Sequence, residues 1–354
     1  MDTQFYSLSV QGVEPVISGR ATSVTFAVPE YLRQTFRWVA GQHLTLRLNV
    51  NGKEHRRCYT ISNPPDGDLR ITVKRVQNGV VSNFVADQLT VGTLIEVMPP
   101  FGTFKLTPDP LARRTHYFFG AGSGITPLYA MICDVLTKEP YSVAHLVLGN
   151  PKEKEIIFHD TLEELQTAYL ERITVRHVLS SQSMWSGFSP WRKGRVDADA
   201  VQAAITEMPP VAQDTQYWIC GPGSMNEDVA RALANLDVPQ NRIHMESFGG
   251  QTQTNRGIAG KAAAALVTLN GTTTEVQIAP DQTVLDAMLA AGLSPAFSCQ
   301  SGVCGACRAK LTSGDIHMRA HMALDEKEIK SGDILCCQSV ATSNRLEVHF
   351  PDGT

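Results

Sequence analysis

The chain of 354 residues lacks several features that would assign it to a specialised class of protein. No stretch approaches the ~18 consecutive apolar residues of a transmembrane helix. The first residues, MDTQFYSLSV, lack a basic segment followed by an apolar run, so we expect no signal peptide. Acidic residues outnumber basic ones by 35 to 31, which leaves no basic stripe for nucleic acid. We therefore expect a cytoplasmic protein with no membrane span and no nucleic-acid partner.

Cysteine is scarce over most of the chain, and its distribution is uneven. Cys58, Cys133 and Cys220 are scattered singly, whereas the other five cysteines lie between Cys299 and Cys337, counting both ends. A disulfide framework is typical of small secreted chains, and this chain is neither small nor visibly secreted. The cysteines near the C-terminus are therefore better explained by a bound metal or cluster.

Residues 1–108 are predicted to form a small antiparallel β-barrel, because many short strands surround one inserted helix. The strands HLTLRLNV and KEHRRCYTI flank Asn51 and Gly52, a pair favoured in type I′ hairpin turns because both central residues need positive φ. The segment VSNFVADQL has helical spacing, and Ser82 is predicted to be its N-cap.

Residues 109–248 show a different pattern, in which predicted strands and helices alternate from THYFFG to RIHMESF. This alternation predicts a parallel sheet covered on both faces. Residues 249–261, GGQTQTNRGIAGK, are polar and glycine-rich, and they are predicted to be a flexible interdomain linker. Beyond them, Asn270 and Gly271 predict a second hairpin. The fold class is therefore a multidomain α/β protein.

The segment CQSGVCGACRAK spaces Cys299, Cys304 and Cys307 as C-x4-C-x2-C. With a distant fourth cysteine, this is the plant-type [2Fe–2S] spacing, and the glycines between the thiolates let the backbone approach the sulfurs. Zinc is one alternative, but zinc ribbons usually carry paired C-x2-C knuckles and only one is present here. Inert buried thiols are the other alternative. The spacing leaves open whether Cys336 or Cys337 is the fourth ligand.

Two glycine-rich loops, GAGSGITP at 120–127 and CGPGSM at 220–225, each follow a predicted strand and lead into a helix. Glycines there let the backbone approach a pyrophosphate at a helix N-terminus. One such loop is explained equally well as a plain strand-to-helix turn. Ligands of parallel sheets bind at the carboxyl ends of the strands, so two loops at that edge predict a dinucleotide site.

The segment RRCYTISNP places Arg57 and Tyr59 on one face of a strand. Arg57 could pair with a phosphate, Tyr59 could stack on a flat ring, and Thr60 could donate to a ring nitrogen. Taken alone, the motif is more typical of an ordinary strand with an exposed arginine and a core tyrosine.

The motifs together, in chain order, resemble those of the ferredoxin–NADP⁺ reductase superfamily: R-x-Y-[ST], a helix start at 79–82, GAGSGITP and CGPGSM. With a plant-type ferredoxin domain after them, the chain resembles the reductases of multicomponent oxygenases, a family that includes the reductase subunit of phenylacetyl-CoA epoxidase. The resemblance covers nearly the whole chain. It implies a FAD-binding barrel at 1–108, an NAD(P)-binding α/β domain at 109–248 and a β-grasp [2Fe–2S] ferredoxin domain at 262–354.

The resemblance also implies roles for single residues. Arg57 would bind the flavin pyrophosphate, Tyr59 would stack on the isoalloxazine, and Thr60 would lie near its N5. Cys220 would lie beside the nicotinamide, which makes Thr60 and Cys220 the implied catalytic residues. The other implied contacts are Cys58, Val73, Lys74, Val81 and Ser82 for the flavin, and Gly122, Gly124, Thr126, Gly221 and Pro222 for the nicotinamide nucleotide.

The same family context bears on the cluster and on the flavin. The fourth ligand of the family directly precedes glutamine in an L-x-C-Q pattern, which here selects Cys337 to join Cys299, Cys304 and Cys307. One relative with specificity like that of phthalate dioxygenase systems uses FMN, but the R-x-Y-[ST] pattern here is more like that of the FAD branch.

The implied function is a monomeric reductase that passes electrons from NAD(P)H through FAD and the [2Fe–2S] cluster to an oxygenase or hydroxylase. The alternatives are a reductase for another acceptor, such as a hybrid-cluster protein, a non-catalytic iron–sulfur carrier, and a zinc-binding structural protein. The choice between NADH and NADPH stays open. Lys152, Lys154, Arg192 and Lys193 could reach a 2′-phosphate, but such charges more often belong to a solvated face.

Overall fold

The computed structural model describes residues 4–17, 19–181, 187–248, 258–297, 300, 302, 305–321, 323–324 and 326–351. The chain divides into two compact units. The larger comprises Phe5–His55 and Tyr59–Phe248, and the smaller comprises Met1–Gln4, Arg56–Cys58 and Gly249–Thr354. None of the helices among the described residues combines the length and the hydropathy needed to cross a membrane. The domain boundaries at 108, 248 and 261 stay a prediction, as does the linker, most of which lies outside the described residues.

The first part of the larger unit is an antiparallel sheet with one helix. Its elements are β1 (Tyr6–Ile17), β2 (Ala21–Ala27), β3 (His43–Val50), β4 (Lys53–Thr60), β5 (Arg70–Lys74), α1 (Val80–Asp87) and β6 (Leu94–Val97). The strand order is β4-β3-β6-β1-β2-β5. An antiparallel bridge between Ile61 and Ile71 joins the end of the β4 segment to β5, so the two edges of the sheet meet as in a small barrel.

The predicted hairpin turn between β3 and β4 is confirmed. Asn51 and Gly52 have φ values of 53° and 76°, the positive values that a type I′ turn requires. Apolar residues that alternate along the strands fill the space between them, among them Leu8, Phe26 and Leu44. The barrel core is thus built from the period of two that the sequence displays.

The predicted N-cap of α1 is wrong. The helix begins at Val80, its N-cap is Gly79, and Ser82 lies within the first turn. The Ser82 hydroxyl accepts from the N–H of Val76 at 3.1 Å and donates to the carbonyl of Gly79 at 3.2 Å. The side chain therefore closes the turn that precedes the helix instead of satisfying a free helix N–H.

The second part of the larger unit is a parallel sheet with helices. Its elements are β7 (Arg114–Ala121), α2 (Ile125–Lys138), β8 (Val143–Asn150), α3 (His159–Ala168), β9 (Ile173–Leu179), β10 (Arg192–Lys193), α4 (Ala198–Glu207), β11 (Asp214–Gly221), α5 (Gly223–Asn235) and β12 (Ile243–Ser247). The strand order is β10-β9-β8-β7-β11-β12, and all pairings are parallel, as predicted.

The path of the chain through this sheet fixes where a ligand can bind. From β7 the chain moves outward through β8, β9 and β10, and it then returns to add β11 and β12 on the other side. The switch point therefore lies between β7 and β11. Open parallel sheets bind ligands at the carboxyl ends of the strands at such a point.

The described part of the smaller unit contains a mixed sheet characteristic of a β-grasp domain. Its elements are β13 (Ala263–Leu269), β14 (Thr272–Ile278), α6 (Val284–Ala290), β15 (Arg308–Ser313), β16 (Ile316–Met318), α7 (Glu326–Lys330), β17 (Asp333–Leu335), β18 (Ser339–Ala341) and β19 (Arg345–His349). The main sheet has the order β14-β13-β19-β15-β17, with β13 and β19 parallel. Asn270 and Gly271 have φ values of 50° and 75°, which confirms the second hairpin turn.

Candidate cofactor sites

The two glycine-rich loops meet at the switch point of the parallel sheet. Gly122–Gly124 form a short 3-10 turn after β7, and Cys220 and Gly221 end the neighbouring strand β11. A Cβ atom on Gly124 would lie 1.9 Å from the carbonyl oxygen of Cys220, a distance that no side chain tolerates. Glycine at this position therefore allows the two loops to pack against each other.

The predicted residues around these loops adopt distinct local roles. Thr126 is buried in the first turn of α2, and its hydroxyl donates to the carbonyl of Ser123 at 3.0 Å. Pro222 is the N-cap residue of α5. Gly122 has a φ of 55°, and a Cβ there would lie 3.3 Å from the Nζ atom of Lys74. The ammonium group of Lys74 thus lies beside the first glycine loop.

Beside Lys74 lies a cavity of about 620 Å³ whose lining includes Arg20, Arg75 and Glu155. Arg20 forms an ion pair with Glu155 at 2.7 Å. Arg75 pairs with Asp87 through both ends of its guanidinium. Lys74 has no ion-pair partner among the described residues, and it is therefore the cation of this cavity that is available to a ligand phosphate.

Glu246 is a candidate site residue that the sequence did not reveal. It lies on β12 directly opposite Cys220 of β11. Its Oε2 atom is inaccessible to solvent and has no hydrogen-bond partner. Burial raises the pKa of Glu246 to about 8, and burial together with the Glu246 carboxylate raises the pKa of the Cys220 thiol well above its ordinary value. Both groups are therefore protonated at neutral pH.

Glu246 offered only a weak signal in the sequence. Within RIHMESF it is the single carboxylate of a strand, and carboxylates of strands usually face solvent. Its place opposite Cys220 depends on β12 pairing with β11, and a long segment that includes α5 separates the two strands. A buried oxygen without a partner requires an explanation, and a ligand at this edge of the sheet would supply the missing partner.

The barrel motif presents a similar unpaired atom. Thr60 is 3% exposed, and its Oγ1 atom is buried without a hydrogen-bond partner. Tyr59 packs against the barrel core, and Arg57 is exposed with one guanidinium N–H donating to the carbonyl of Arg56 at 2.7 Å. A buried hydroxyl without a partner fits the predicted hydrogen bond to a flavin ring nitrogen.

The other predicted flavin contacts have mostly buried side chains. Val73 and Val81 are each 2% exposed and belong to the barrel core, and Ser82 is also buried. The contacts of Val73 and Val81 with the flavin therefore stay a prediction. Cys58 is partly buried on β4 and forms no disulfide.

In the smaller unit, two of the predicted cluster ligands are described. Cys337 donates its main-chain N–H to the Sγ atom of Cys307 at 3.4 Å, and both residues are buried. The side-chain contact with Cys337 and burial raise the pKa of the Cys307 thiol. Paired thiols with an N–H donor to sulfur are the chemistry that an iron–sulfur cluster requires. Cys299 and Cys304 lie outside the described residues.

The neighbouring Cys336 is buried together with Cys307 and Cys337. It is 0% exposed, and it lies in the hydrophobic core of the smaller unit. Its main-chain N–H donates to the carbonyl of Cys307 at 3.0 Å, and burial raises its pKa far above the ordinary value. These contacts are those of a core thiol.

Comparisons with known proteins agree with this arrangement of sites. Three family models match successive parts of the chain: an oxidoreductase FAD-binding domain at 13–106, an oxidoreductase NAD-binding domain at 118–231 and a 2Fe-2S iron-sulfur cluster binding domain at 267–342. The chain therefore has FAD, NAD(P)H and a [2Fe–2S] cluster as its cofactors.

Curated relatives match over almost the whole length. The E subunit of 1,2-phenylacetyl-CoA epoxidase from Escherichia coli is 31% identical over 353 residues, which cover 98% of each chain. The ferredoxin reductase component of 3-ketosteroid-9-alpha-monooxygenase from Rhodococcus rhodochrous is 34% identical over 341 residues, 93% of this chain and 92% of the relative.

A solved structure supports the same fold. Phthalate dioxygenase reductase, described as a modular structure for electron transfer from pyridine nucleotides to [2Fe-2S], covers 98% of both chains with a TM-score of 0.66 and 24% identity. The domain matches, the curated relatives and the fold agree with one another. The chain belongs to the family of FAD- and [2Fe–2S]-containing reductase components of multicomponent oxygenases.

Proposed function

We propose that this reductase delivers electrons from NAD(P)H to a terminal oxygenase, with Thr60 and Cys220 at its flavin and nicotinamide sites. The observation that carries the proposal is the contact of Gly124 with the Cys220 carbonyl at the switch point. It brings two loops suited to a pyrophosphate to the one edge of the sheet where dinucleotides bind. The bound flavin and cluster supply the conversion of a two-electron donor into single-electron transfers.

At the flavin site, the residues of the barrel bind and orient. Arg57 pairs with the pyrophosphate, Tyr59 packs its ring on the isoalloxazine, and Thr60 donates its hydroxyl to N5. The support for Thr60 is its buried Oγ1 without a partner. The support for Arg57 is its exposure, because a guanidinium that donates one N–H to the Arg56 carbonyl has further N–H donors for phosphate oxygens.

At the nicotinamide site, Gly122, Gly124 and Gly221 belong to the two loops that would hold the nucleotide, and Thr126 and Pro222 lie at the two helix starts. Cys220 would lie beside the nicotinamide as a neutral thiol, because a charged group beside a ring that becomes cationic would bind one redox state too tightly. Its fully buried position and raised pKa support a neutral thiol.

At the cluster, the proposed ligands are Cys299, Cys304, Cys307 and Cys337. The support for Cys337 over Cys336 is its contact with the Cys307 sulfur, through its main-chain N–H at 3.4 Å and through its side chain. Replacing Cys337 by Ser should abolish the visible cluster absorbance, and Cys336→Ser should retain it. The reverse result would overturn the choice of Cys337.

The acceptor is proposed to be an oxygenase or hydroxylase separate from this chain. The relatives serve systems named for phenylacetyl-CoA, 3-ketosteroids and, in the Pseudomonas aeruginosa reductase subunit that is 28% identical, glycine betaine. Because the substrate differs among them, we propose the class of acceptor alone. We also propose a monomer that works in the cytoplasm, where the described cysteines, none of them in a disulfide, would stay reduced.

The order of electron flow is tested with Cys304→Ser. This change should remove the cluster and leave the flavin site intact. NAD(P)H should therefore still reduce ferricyanide, which takes electrons from flavin, near the wild-type rate, whereas turnover of the oxygenase should collapse. Cytochrome c is a less strict acceptor because it also takes electrons from flavin. Full oxygenase turnover by the variant would overturn the proposed route.

A further inference from the structure

The cysteine loop and the segment that carries Cys337 are far apart in sequence, and Gln338 joins them. The side-chain Nε2 of Gln338 donates to the carbonyl of Gln300 at 2.9 Å and to the carbonyl of Cys337 at 3.0 Å. Gln300 lies within the loop between Cys299 and Cys304. One primary amide, which has two N–H donors, therefore bridges the two segments that supply the proposed cluster ligands.

The main chain of Gln338 is itself fixed. Its N–H donates to the carbonyl of Leu335 at 2.9 Å, and its carbonyl accepts from the N–H of Arg319 at 2.9 Å. Its Cγ atom lies 3.0 Å from the position that a Cβ on Gly302 would occupy. The side chain thus starts from a rigid point and lies against the loop that it holds.

The residue that Gln338 holds has an unfavourable backbone conformation. Gln300 has a φ of 54°, in the left-handed region that residues with a side chain rarely adopt. Such a conformation persists where surrounding contacts determine it, and it is common where a loop must follow a ligand. Gly302 and Gly305 have φ values of 77° and 70°, so the loop turns repeatedly in this region. A hydrogen bond to the Gln300 carbonyl stabilises the least tolerant of these turns.

We propose that Gln338 is a positioning residue for the [2Fe–2S] cluster, and that it sets both the retention and the reduction potential of the cluster. This inference rests on the proposed ligand set of Cys299, Cys304, Cys307 and Cys337. The geometry of the loop decides how its N–H groups meet the cluster sulfurs, and hydrogen bonds to sulfur are a determinant of cluster potential. The L-x-C-Q pattern then contains two functions, a ligand and the amide that aligns the opposite loop.

The test compares Gln338→Leu and Gln338→Glu with a matched control, Gln277→Leu. Leucine retains the bulk of the side chain without its donors, and the carboxylate introduced by the second variant would face two carbonyls without any N–H to donate. Gln277 is an exposed glutamine of the same unit whose amide donates to Glu275 at 3.1 Å. Its replacement reports the effect of losing a surface amide.

Three quantities are measured in the holoprotein: the rate at which visible cluster absorbance is lost to an iron chelator, the midpoint potential of the cluster, and the g-values of the reduced cluster. We expect loss about tenfold faster in Gln338→Leu, faster still in Gln338→Glu, and a shifted potential and g-tensor in both, because two hydrogen bonds are removed. The control should match the wild type. A merely structural role would leave the potential and the g-values unchanged.

The inference is overturned if the potential and the g-values of both Gln338 variants match those of Gln277→Leu, whatever the rate of cluster loss. Should Gln338→Leu fail to fold, Gln338→Asn keeps the amide but is one methylene too short to reach Gln300, and it should show the same changes. Reduction of ferricyanide by NAD(P)H reports intact folding of the flavin sites in every variant. A wild-type protein without a cluster, or a Cys337→Ser variant that keeps it, would instead overturn the proposed ligand set.

Discussion

Glu139 and Glu246 lie near opposite ends of the strands of the parallel sheet, Glu139 directly after α2 and Glu246 on β12. The carboxylate of Glu139 has several hydrogen-bond partners, whereas that of Glu246 has an oxygen without one. At the edge where β7 begins, Glu139 is 0% exposed and accepts hydrogen bonds from Arg114 at 2.9 Å, from the N–H of Asp109 at 3.0 Å and from His116 at 3.0 Å. Burial would raise the pKa of Glu139, but the hydrogen bonds from His116, Ser142 and Asp109 outweigh it and lower the pKa to about 2. At the carboxyl edge, the Oε2 atom of Glu246 has no partner, and its pKa is raised to about 8.

The difference separates a structural edge from a binding edge. The network around Glu139 extends further, because Trp218 donates its Nε1–H to Nδ1 of His116 at 3.2 Å. A buried polar network with every group paired makes a region rigid. An unpaired buried oxygen costs free energy, so its presence at the other edge indicates a group that a ligand satisfies. The unpaired oxygen of Glu246 thus lies at the same edge as the two glycine loops.

The largest effect should come from breaking the paired edge with Glu139→Gln. The glutamine amide would place N–H donors against donors of Arg114 or His116, and leaving buried partners unpaired costs about 3 kcal/mol of unfolding free energy. Urea unfolding followed by fluorescence measures the loss. The control is Glu207→Gln. Glu207 is the exposed last residue of α4, and it accepts one hydrogen bond from Trp191. Equal stability of the two variants would show that the network contributes nothing.

The same network predicts the response of the wild type to acid. The folded pKa of Glu139, about 2, lies below its ordinary value of 4.5. The stability that this carboxylate contributes is therefore complete above about pH 4.5 and is lost as the pH falls toward 2. In Glu139→Gln this part of the acid dependence should be absent, and an unchanged acid profile would contradict the assignment.

The next effect concerns the close packing of the binding edge. Gly124→Ala would place a methyl group 1.9 Å from the Cys220 carbonyl, so the two loops must separate. Overpacking of this kind costs roughly 1–3 kcal/mol, and the rate of flavin reduction by NAD(P)H should fall with it. Gly187→Ala is the control, because a Cβ there meets no atom within 4 Å and the residue lies outside both glycine loops. If both variants reduce flavin at the wild-type rate, the contact of the loops is not needed for the reaction.

A smaller effect is expected at the exposed side of the flavin site. Arg57→Ala removes charge-assisted hydrogen bonds to a phosphate, each worth roughly 1.5–3 kcal/mol. The dissociation constant of FAD should rise by about tenfold or more, with the cluster retained. The FAD content after desalting measures the retention of flavin, and the visible absorbance of the cluster measures the retention of the cluster. Wild-type FAD content in the variant would refute the role of Arg57.

The sequence predicted most of the fold because the relevant signals are local. Strands and helices of the parallel sheet follow from spacing within each segment, and both Asn-Gly turns follow from two residues that accept positive φ. The start of α1 did not follow, because the Ser82 hydroxyl bonds to Val76 in the preceding turn instead of to a helix N–H. A capping residue and a turn-closing residue look alike in sequence.

Site residues could be predicted where the residue type and its spacing determine the chemistry. They could not be predicted where their role depends on a contact between residues that are distant in sequence. Cysteine spacing indicated the cluster, and family context indicated Cys337. Glu246 and Gln338 gave no such signal, because their meaning depends on Cys220 and Gln300, which are distant in sequence. No periodicity of the sequence relates the two members of such a pair. Each contact follows from the folded structure, the first from the pairing of β12 with β11 and the second from the path of the cysteine loop.

The smallest and most specific effect should come from Glu246→Gln. It is the same substitution as Glu139→Gln, but it replaces a side chain that is protonated and neutral near pH 6 instead of an ionised one. Since the folded pKa of about 8 lies above the ordinary 4.5, Glu246 favours the folded state fully below about pH 4.5, and this contribution is lost as the pH rises through 8. Glutamine, neutral and nearly isosteric with the protonated acid, should therefore leave flavin reduction at about pH 6 close to that of the wild type. It should also make the variant more stable than the wild type at about pH 9.5.

Urea unfolding and stopped-flow reduction by NAD(P)H, each at both pH values, provide the measurement. Glu207→Gln again serves as the control, and it should show no difference between the two pH values relative to the wild type. If the stability difference between Glu246→Gln and the wild type is the same at both pH values, Glu246 does not titrate in this window. The Oε2 atom would then have a partner in the folded protein, and the contrast between the two edges of the sheet would be lost.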